Sequence, residues 1–245
     1  MISYDSSTRK YLLKHLKEMM FNDRWARFHQ VLDQRTKHIT VVLEDIFQPH
    51  NASAVIRTCE LKGIQDLHII ENRNPYNVNP DIVVGSNKWI DLTRYNKHEH
   101  NTFSCFQSLK KAGYQVVATS PHKDDCLIHE LPLDQKTALV FGNEGDGLSD
   151  VALENADAFV RIPSCGFTES YNLSVSVAIC LYELTARLKK EVGNWQLTPE
   201  EKEVLLLKYA LNTVRNPQII TKNLLQKKES KKSRDIEPTK NSEGL

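Results

Sequence analysis

The segment Ile162–Ala178, IPSCGFTESYNLSVSVA, carries polar side chains at alternating positions: Ser170, Asn172 and Ser174. Directly behind them the chain becomes apolar at helical spacing, at Val175, Ile179, Tyr182 and Ala186. Two chemistries suit this arrangement. Hydroxyl and amide groups at the mouth of a buried helix can hold a small polar ligand. The same side chains can cap the helix by accepting its free N–H groups. A second stretch, Gly142–Gly147 (GNEGDG), follows an apolar run and sets three glycines around Glu144 and Asp146. Glycine lets a ligand approach the backbone closely. The order GxxGxG is neither the dinucleotide fingerprint nor a P-loop, and its two carboxylates would repel a pyrophosphate. A ligand with positive charge or an amino group suits it, and so does a plain turn. The third stretch is Pro49-His50-Asn51, followed by Arg57 behind Ala54, Val55 and Ile56. Arginine in so apolar a segment calls for an anion, either a structural carboxylate or a phosphate. Asn51 is also a common capping residue, and His50 reads as an incidental loop histidine.

Other chemistries find little support. No Ser-His-Asp arrangement is recognisable. His98 and His100 flank Glu99 without a partner cluster, so no metal site is expected. Cys59, Cys105, Cys126, Cys165 and Cys180 are odd in number and contain no CxxC pair. They read as small, partly buried apolar residues in a reducing compartment.

The elements that must position these residues alternate along the chain. Residues 6–35 read as helix, with one stripe at Tyr11, Leu12, Leu16, Met19 and Met20, and another at Trp25, Phe28, Val31 and Leu32. Residues 39–43, 67–70, 116–119, 137–141 and 159–162 read as short buried strands, with weaker strand pieces at Val83–Val84 and Trp89–Leu92 around Gly85. Pro121 closes the third of the five strands. Helices are expected over 52–61, 103–112, 149–155 and 172–190. Thr198-Pro199-Glu200-Glu201 then starts another helix, continued by Lys202–Ala210. This alternation predicts an α/β fold with a mostly parallel sheet. Ligands of such sheets sit at the carboxyl ends of the strands. Three of those ends carry unusual residues here: Ala118–Pro121, Gly142–Gly147 and Ile162–Ser174.

The 245 residues carry a formal net charge of only +1, unevenly spread. Residues 1–40 hold Arg9, Lys10, Lys14, Lys17, Arg24, Arg27, Arg35 and Lys37 against four acids. Residues 222–234 hold Lys222, Lys227, Lys228, Lys231, Lys232 and Arg234 against Glu229. A basic arm at each end suits a polyanionic partner or a solvated terminus. No run reaches the ~18 apolar residues of a membrane span. No signal-peptide pattern opens the chain, and a cytoplasmic location is expected.

Over residues 22–190 the chain resembles the SpoU/TrmH family of RNA 2′-O-ribose methyltransferases. The resemblance rests on three ordered motifs. The first is Pro49-His50-Asn51-Ala52-Ser53-Ala54-Val55-Ile56-Arg57. The second is Val140-Phe141-Gly142-Asn143-Glu144 with Gly147 and Leu148. The third is Ile162-Pro163, Gly166 and Ser170-Tyr171-Asn172-Leu173-Ser174-Val175. The Gly85-Ser86-Asn87-Lys88-Trp89 segment also fits. The resemblance implies a knotted α/β methyltransferase domain, a parallel sheet flanked by helices with a C-terminal trefoil knot, over 39–190. It implies helical extensions at 1–38 and 191–225, and 226–245 reads as a disordered basic tail. It further implies S-adenosylmethionine as cofactor, bound at Thr119, Gly142, Glu144, Ile162, Tyr171, Asn172 and Ser174. It gives Arg57 a catalytic role supported by Asn51, within a homodimer whose active site forms across the interface. Small members built like this one methylate guanosine 18 in the D-loop of tRNA. Another tRNA position, ribosomal RNA, or an inactive RNA-binding relic are the competing expectations. Two positions depart from the pattern: Tyr171 stands where leucine is usual, and Ser164 where methionine is usual.

Overall fold

Runs such as Ile39–Glu44 and Lys136–Phe141 carry apolar side chains on both faces. They can satisfy their backbone and bury those side chains only inside a sheet covered on both sides. The computed structural model, which describes residues 4–77, 79–98, 100–120 and 126–234, places them there. The chain forms, in order, α1 (Ser6–Glu18), α2 (Asn22–Leu32), β1 (Ile39–Glu44), α3 (Pro49–Leu61), β2 (Asp66–Ile70) and α4 (Pro80–Val83). A 3-10 turn at Ser86–Lys88 leads to β3 (Asp91–Tyr95), α5 (Asn101–Lys111), β4 (Tyr114–Thr119), β5 (Cys126–Leu127) and β6 (Lys136–Phe141). Then come α6 (Asp150–Asn155), β7 (Ala158–Arg161), α7 (Leu173–Glu191), α8 (Pro199–Thr213) and α9 (Pro217–Arg234). These elements make two units. One spans Asp33–Leu197, and the other joins the chain up to Leu32 with the chain from Thr198.

The first unit is built on a seven-stranded sheet in the order β3-β2-β1-β6-β4-β7-β5. Its pairings are parallel, so all carboxyl ends share one edge. Leu43 stands opposite Phe141, Ala118 opposite Val140 and Thr119 opposite Val160. The exits of β1, β6, β4 and β7 therefore follow one another along that edge. Because β6 inserts between β1 and β4, chain order and spatial order part company there, the place where open α/β sheets bind ligands. Val55, Cys59, Val177, Leu181 and Leu184 of α3 and α7 cover one face of the sheet. Cys105, Phe106, Leu109 and Ala152 of α5 and α6 cover the other.

The second unit is helical. Asp5 caps α1 by accepting the Thr8 N–H at 3.0 Å, and Thr198 with Glu201 forms a complete capping box on α8. Arg9, buried on α1, reaches Glu203 at 2.8 Å and Glu200 at 3.1 Å on α8. Those contacts satisfy a guanidinium that burial would otherwise leave unpaired.

Three expectations need correction. The single helix over 6–35 is two helices, broken after Met19. Leu12 and Phe28 lie sixteen residues apart, about 160° out of phase on a straight helix, so one rod cannot bury both stripes. Val83–Val84 is not strand. Pro80 opens a short helix capped by Asn79, and Val84 then turns left-handed at φ 44°. The expected tail boundary at 226 falls inside α9. Leu224 is buried there, and Lys228 donates to the Thr8 hydroxyl at 2.8 Å, so the helix has packing to lean on. Pro121, Glu99 and residues 235–245 lie outside the described residues.

The sheet centre sets the stability of the first unit. Leu139, fully buried in β6 between Val41 and Val117, is the test. Leu139→Ala is expected to destabilise the protein by about 2–5 kcal/mol, read as a lower urea midpoint.

Candidate active site

The α3 helix begins at Pro49 with Gln48 as its N-cap, so Asn51 sits inside the first turn and is not the cap. Asn51 is buried, and both ends of its amide are occupied. Its Nδ2 donates to the Glu144 carboxylate. A carboxylate only accepts, so this contact turns the Asn51 carbonyl the other way. That Oδ1 accepts from Asn172 Nδ2 at 3.2 Å. Asn172 is in turn the N-cap of α7, its Oδ1 accepting the Ser174 N–H at 2.9 Å and the Ser174 hydroxyl at 2.7 Å. The two readings of the Ser170–Ser174 stretch are therefore compatible. Asn172 caps its helix with its oxygen and holds Asn51 with its nitrogen.

The glycine loop is a closed turn. Asn143 and Gly147 exchange N–H···O bonds at 3.1 and 3.2 Å, and Asn143 Oδ1 accepts from the Gly145 and Asp146 N–H groups at 2.8 and 2.7 Å. A Cβ on Gly142 would collide with the Gly147 carbonyl. Glycine at 142 is required by that close backbone approach, and Gly147 is left-handed at φ 73°.

A cavity of about 640 Å³ opens beside this turn. Thr119, Gly142, Glu144, Ile162, Tyr171 and Asn172 all line it, drawn from the exits of β4, β6 and β7. Its size lies in the usual range for small-molecule sites. Thr119 donates its hydroxyl to the Val140 carbonyl at 2.8 Å, tying β4 to β6 at the rim. Tyr171 is 43% exposed, and its hydroxyl lies 3.5 Å from the Pro163 carbonyl. The cavity also takes in Ser164, one of the two departures from the motif, and Gln48 and Glu169, which the motifs did not single out. Gln48 could have been found as the residue before Pro49, the N-cap position of a helix with proline first.

Ser174 faces a second, apolar hollow of about 650 Å³, shared with Ile162 and Tyr171 and continued along Ala54, Thr58, Val175 and Tyr182. Arg57 lines neither hollow. Its side chain is exposed and has no hydrogen bond or ion pair with any described residue. No structural carboxylate holds it among those residues. It lies three residues beyond Ala54 on α3, at the border of the apolar hollow. His50 is exposed. Among the described residues no group of His, Cys, Asp or Glu could hold a metal ion, and no helix is long and apolar enough to cross a membrane. Burial pushes the Cys59 and Cys180 thiols up to about 12, which leaves them unreactive. Cys165 departs from the expected burial and is exposed.

The sequence reading also missed a role for the adjacent acids Glu44 and Asp45, both buried at the end of β1. Glu44 accepts from the Thr102 hydroxyl, the Ser149 hydroxyl at 2.8 Å and the Ser149 N–H at 2.9 Å. Asp45 accepts from three successive N–H groups, those of Asn72, Arg73 and Asn74. Two acids directly after an apolar strand were the available signal, since buried carboxylates are rarely left unpaired.

A family model, the SpoU rRNA Methylase family, matches residues 38–182. That span holds every residue of the cavity and of the Glu144–Asn51–Asn172–Ser174 chain. The chain belongs to this family. Across 205 residues it is 43% identical to a tRNA (guanosine(18)-2′-O)-methyltransferase of Borreliella burgdorferi, covering 84% of this chain and 92% of that one. The crystal structure of the Aquifex aeolicus TrmH/SpoU tRNA modifying enzyme superposes with a TM-score of 0.70 at 29% identity, over 79% of this chain and 98% of that one. An AdoMet-bound rRNA methyltransferase from Sinorhizobium meliloti superposes with a TM-score of 0.52 at 26% identity, over 63% and 58%.

In this SpoU-family chain the double duty of Asn172 is separable. Asn172→Asp keeps the capping oxygen but sets a carboxylate against the Asn51 carbonyl. Stability is expected to fall by about 1–3 kcal/mol, the cost of leaving the buried Asn51 carbonyl without its donor, while RNA methyl transfer falls at least tenfold. Asn172→Ala is expected to lose both, with a cap cost of about 0.5–2 kcal/mol.

Proposed function

We propose that this protein methylates the ribose 2′-oxygen of guanosine 18 in tRNA, using S-adenosylmethionine. The observation that carries the reading is the glycine-walled cavity at the β6 exit, bordered by the Glu144–Asn51–Asn172–Ser174 chain. It lies in a chain 43% identical to a guanosine-18 methyltransferase.

The cavity fits the cofactor. Gly147 leaves open space where a Cβ would stand on the cavity wall, and Glu144 and Asp146 suit a ligand that carries positive charge. Thr119, Gly142, Glu144, Ile162, Tyr171 and Asn172 would hold it, with Ser174 orienting Asn172. Bound S-adenosylmethionine supplies a methyl group on a sulfonium, open to in-line attack. Asn51 and Asn172 fix the starts of α3 and α7 against the glycine turn. The wall that receives the ribose and the wall that receives the cofactor thereby keep one spacing. Positioning of this kind can supply several kcal/mol of a barrier.

Arg57 takes the phosphate beside the target ribose. Its guanidinium carries donors only, so it can hold a phosphate but offers no lone pair to take the proton. It holds no carboxylate among the described residues, which leaves its donors for a phosphate. The 2′-hydroxyl proton leaves with help from that phosphate or a neighbouring group. The apolar hollow between α3 and α7, with Val175 44% and Tyr182 67% exposed, supports a homodimer. Arg57 at its border would then serve a site formed across the interface. The trefoil knot and the tRNA-binding use of the basic helical extensions belong to the same reading.

Incubation of tRNA transcripts with methyl-labelled S-adenosylmethionine, followed by nucleotide mapping, tests this. Label is expected in the ribose of guanosine 18 and absent from a transcript with adenosine there. Label on a base, or at another nucleotide, would overturn the assignment. Arg57→Ala and Asn51→Ala are each expected to lower turnover by about 10²-fold or more. Near-normal turnover in Arg57→Ala beside loss in Asn51→Ala would sink the role given to Arg57.

A further inference from the structure

The Gly142–Gly147 turn satisfies its own backbone, so its internal hydrogen bonds do not decide how it sits against the rest of the sheet edge. Side chains do that. Glu144 is tied to Asn51, and Ser149, just past the turn, is tied to Glu44. The remaining tie comes from outside the three sequence motifs. Arg73 Nη1 reaches Asp146 Oδ2 at 3.1 Å, and Arg73 Nε lies 3.8 Å from Asp45 Oδ2. Arg73 is held from behind as well. Its backbone N–H donates to Asp45 Oδ1 at 2.8 Å, beside those of Asn72 at 2.7 Å and Asn74 at 3.3 Å, and Asn74 Nδ2 donates to the Asp45 carbonyl at 2.9 Å. Asp45 is buried and left-handed at φ 52°. That conformation is uncommon outside glycine, and Asp is among the few residues that tolerate it. It aims the carboxylate at the loop after β2.

We propose that Arg73 is a positioning residue for the cofactor: anchored on Asp45, it holds Asp146 and thereby fixes the outer edge of the glycine turn. Asp146 lines the cavity, so the ion pair acts on the wall that the ligand meets. The proposal rests on the S-adenosylmethionine reading of that cavity. Both partners are exposed, at 60% and 71% of their side chains, so the effect is modest and sensitive to salt.

The test uses the full chain without RNA. Arg73→Ala is expected to weaken S-adenosylmethionine binding about three- to fivefold by calorimetry, the size an exposed pair supports. Arg73→Lys should recover part of the loss. The difference from wild type should shrink at about 1 M salt, where screening is short-ranged. Hydrogen exchange in the peptide spanning 142–148 should quicken, while the start of α7 stays as protected as before. Unchanged affinity together with unchanged exchange in Arg73→Ala would overturn the proposal. So would a defect confined to a raised KM for tRNA, which would make Arg73 a phosphate ligand instead. If the wild type binds no S-adenosylmethionine, the cofactor reading falls with it. Exchange at 142–148 then reports separately whether Arg73 orders the turn.

Discussion

The site depends on the amide of Asn51. An amide has one acceptor end and one donor end, and leaving a buried one unsatisfied costs about 1–3 kcal/mol. Here the donor end is taken by Glu144 and the acceptor end by Asn172. Neither contact can be swapped, because a carboxylate cannot donate. The start of α3, the turn after β6 and the start of α7 are thus locked in one order. These elements are separated by |i−j| of 93 and 121 along the chain. No local propensity could bring them together.

The sheet makes the lock possible. Leu43 pairs with Phe141, so the β1 and β6 exits are neighbours. Thr119 pairs with Val160, so the β4 and β7 exits are neighbours as well. Every exit points the same way because the pairings are parallel. A one-residue slip of β6 against β1 would move Glu144 away from Asn51 and would also send Leu139 and Phe141 to the opposite covered face, where Ala138 and Val140 pack. Burial of the strand and placement of the carboxylate are one constraint.

Much of this was legible in the sequence, for identifiable reasons. Apolar β-branched runs marked β1, β4 and β6, because a strand buried on both faces has no other composition available. Pro199 behind Thr198 marked α8, because the cap and the first turn are local. The three motifs marked the cavity walls. What escaped depends on distance in space. The break after Met19 follows from two stripes that must face different neighbours. The roles of Glu44, Asp45 and Arg73 depend on which loops lie beside β1, which only the strand order decides. That no described carboxylate pairs with Arg57 depends on where distant loops lie, and no window of sequence contains it.

An acidic glycine turn is at first sight a poor neighbour for RNA, since Glu144 and Asp146 face a cavity next to a polyanion. The structure removes much of that difficulty. Glu144 is engaged by the Asn51 amide, and Asp146 is paired with Arg73. Their combined field on an approaching phosphate is therefore weaker than two free carboxylates would produce. Arg57, exposed and uncommitted, is the complementary case. In the proposed function the acids serve the cofactor at short range. In the same proposal the basic residues of the terminal helices would add an attraction for RNA that falls off over about a Debye length of 8–10 Å at ordinary salt. A chain with a net charge of +1 can then serve a cationic cofactor and an anionic substrate together, because the two acids of its glycine turn are each engaged by a neighbouring side chain.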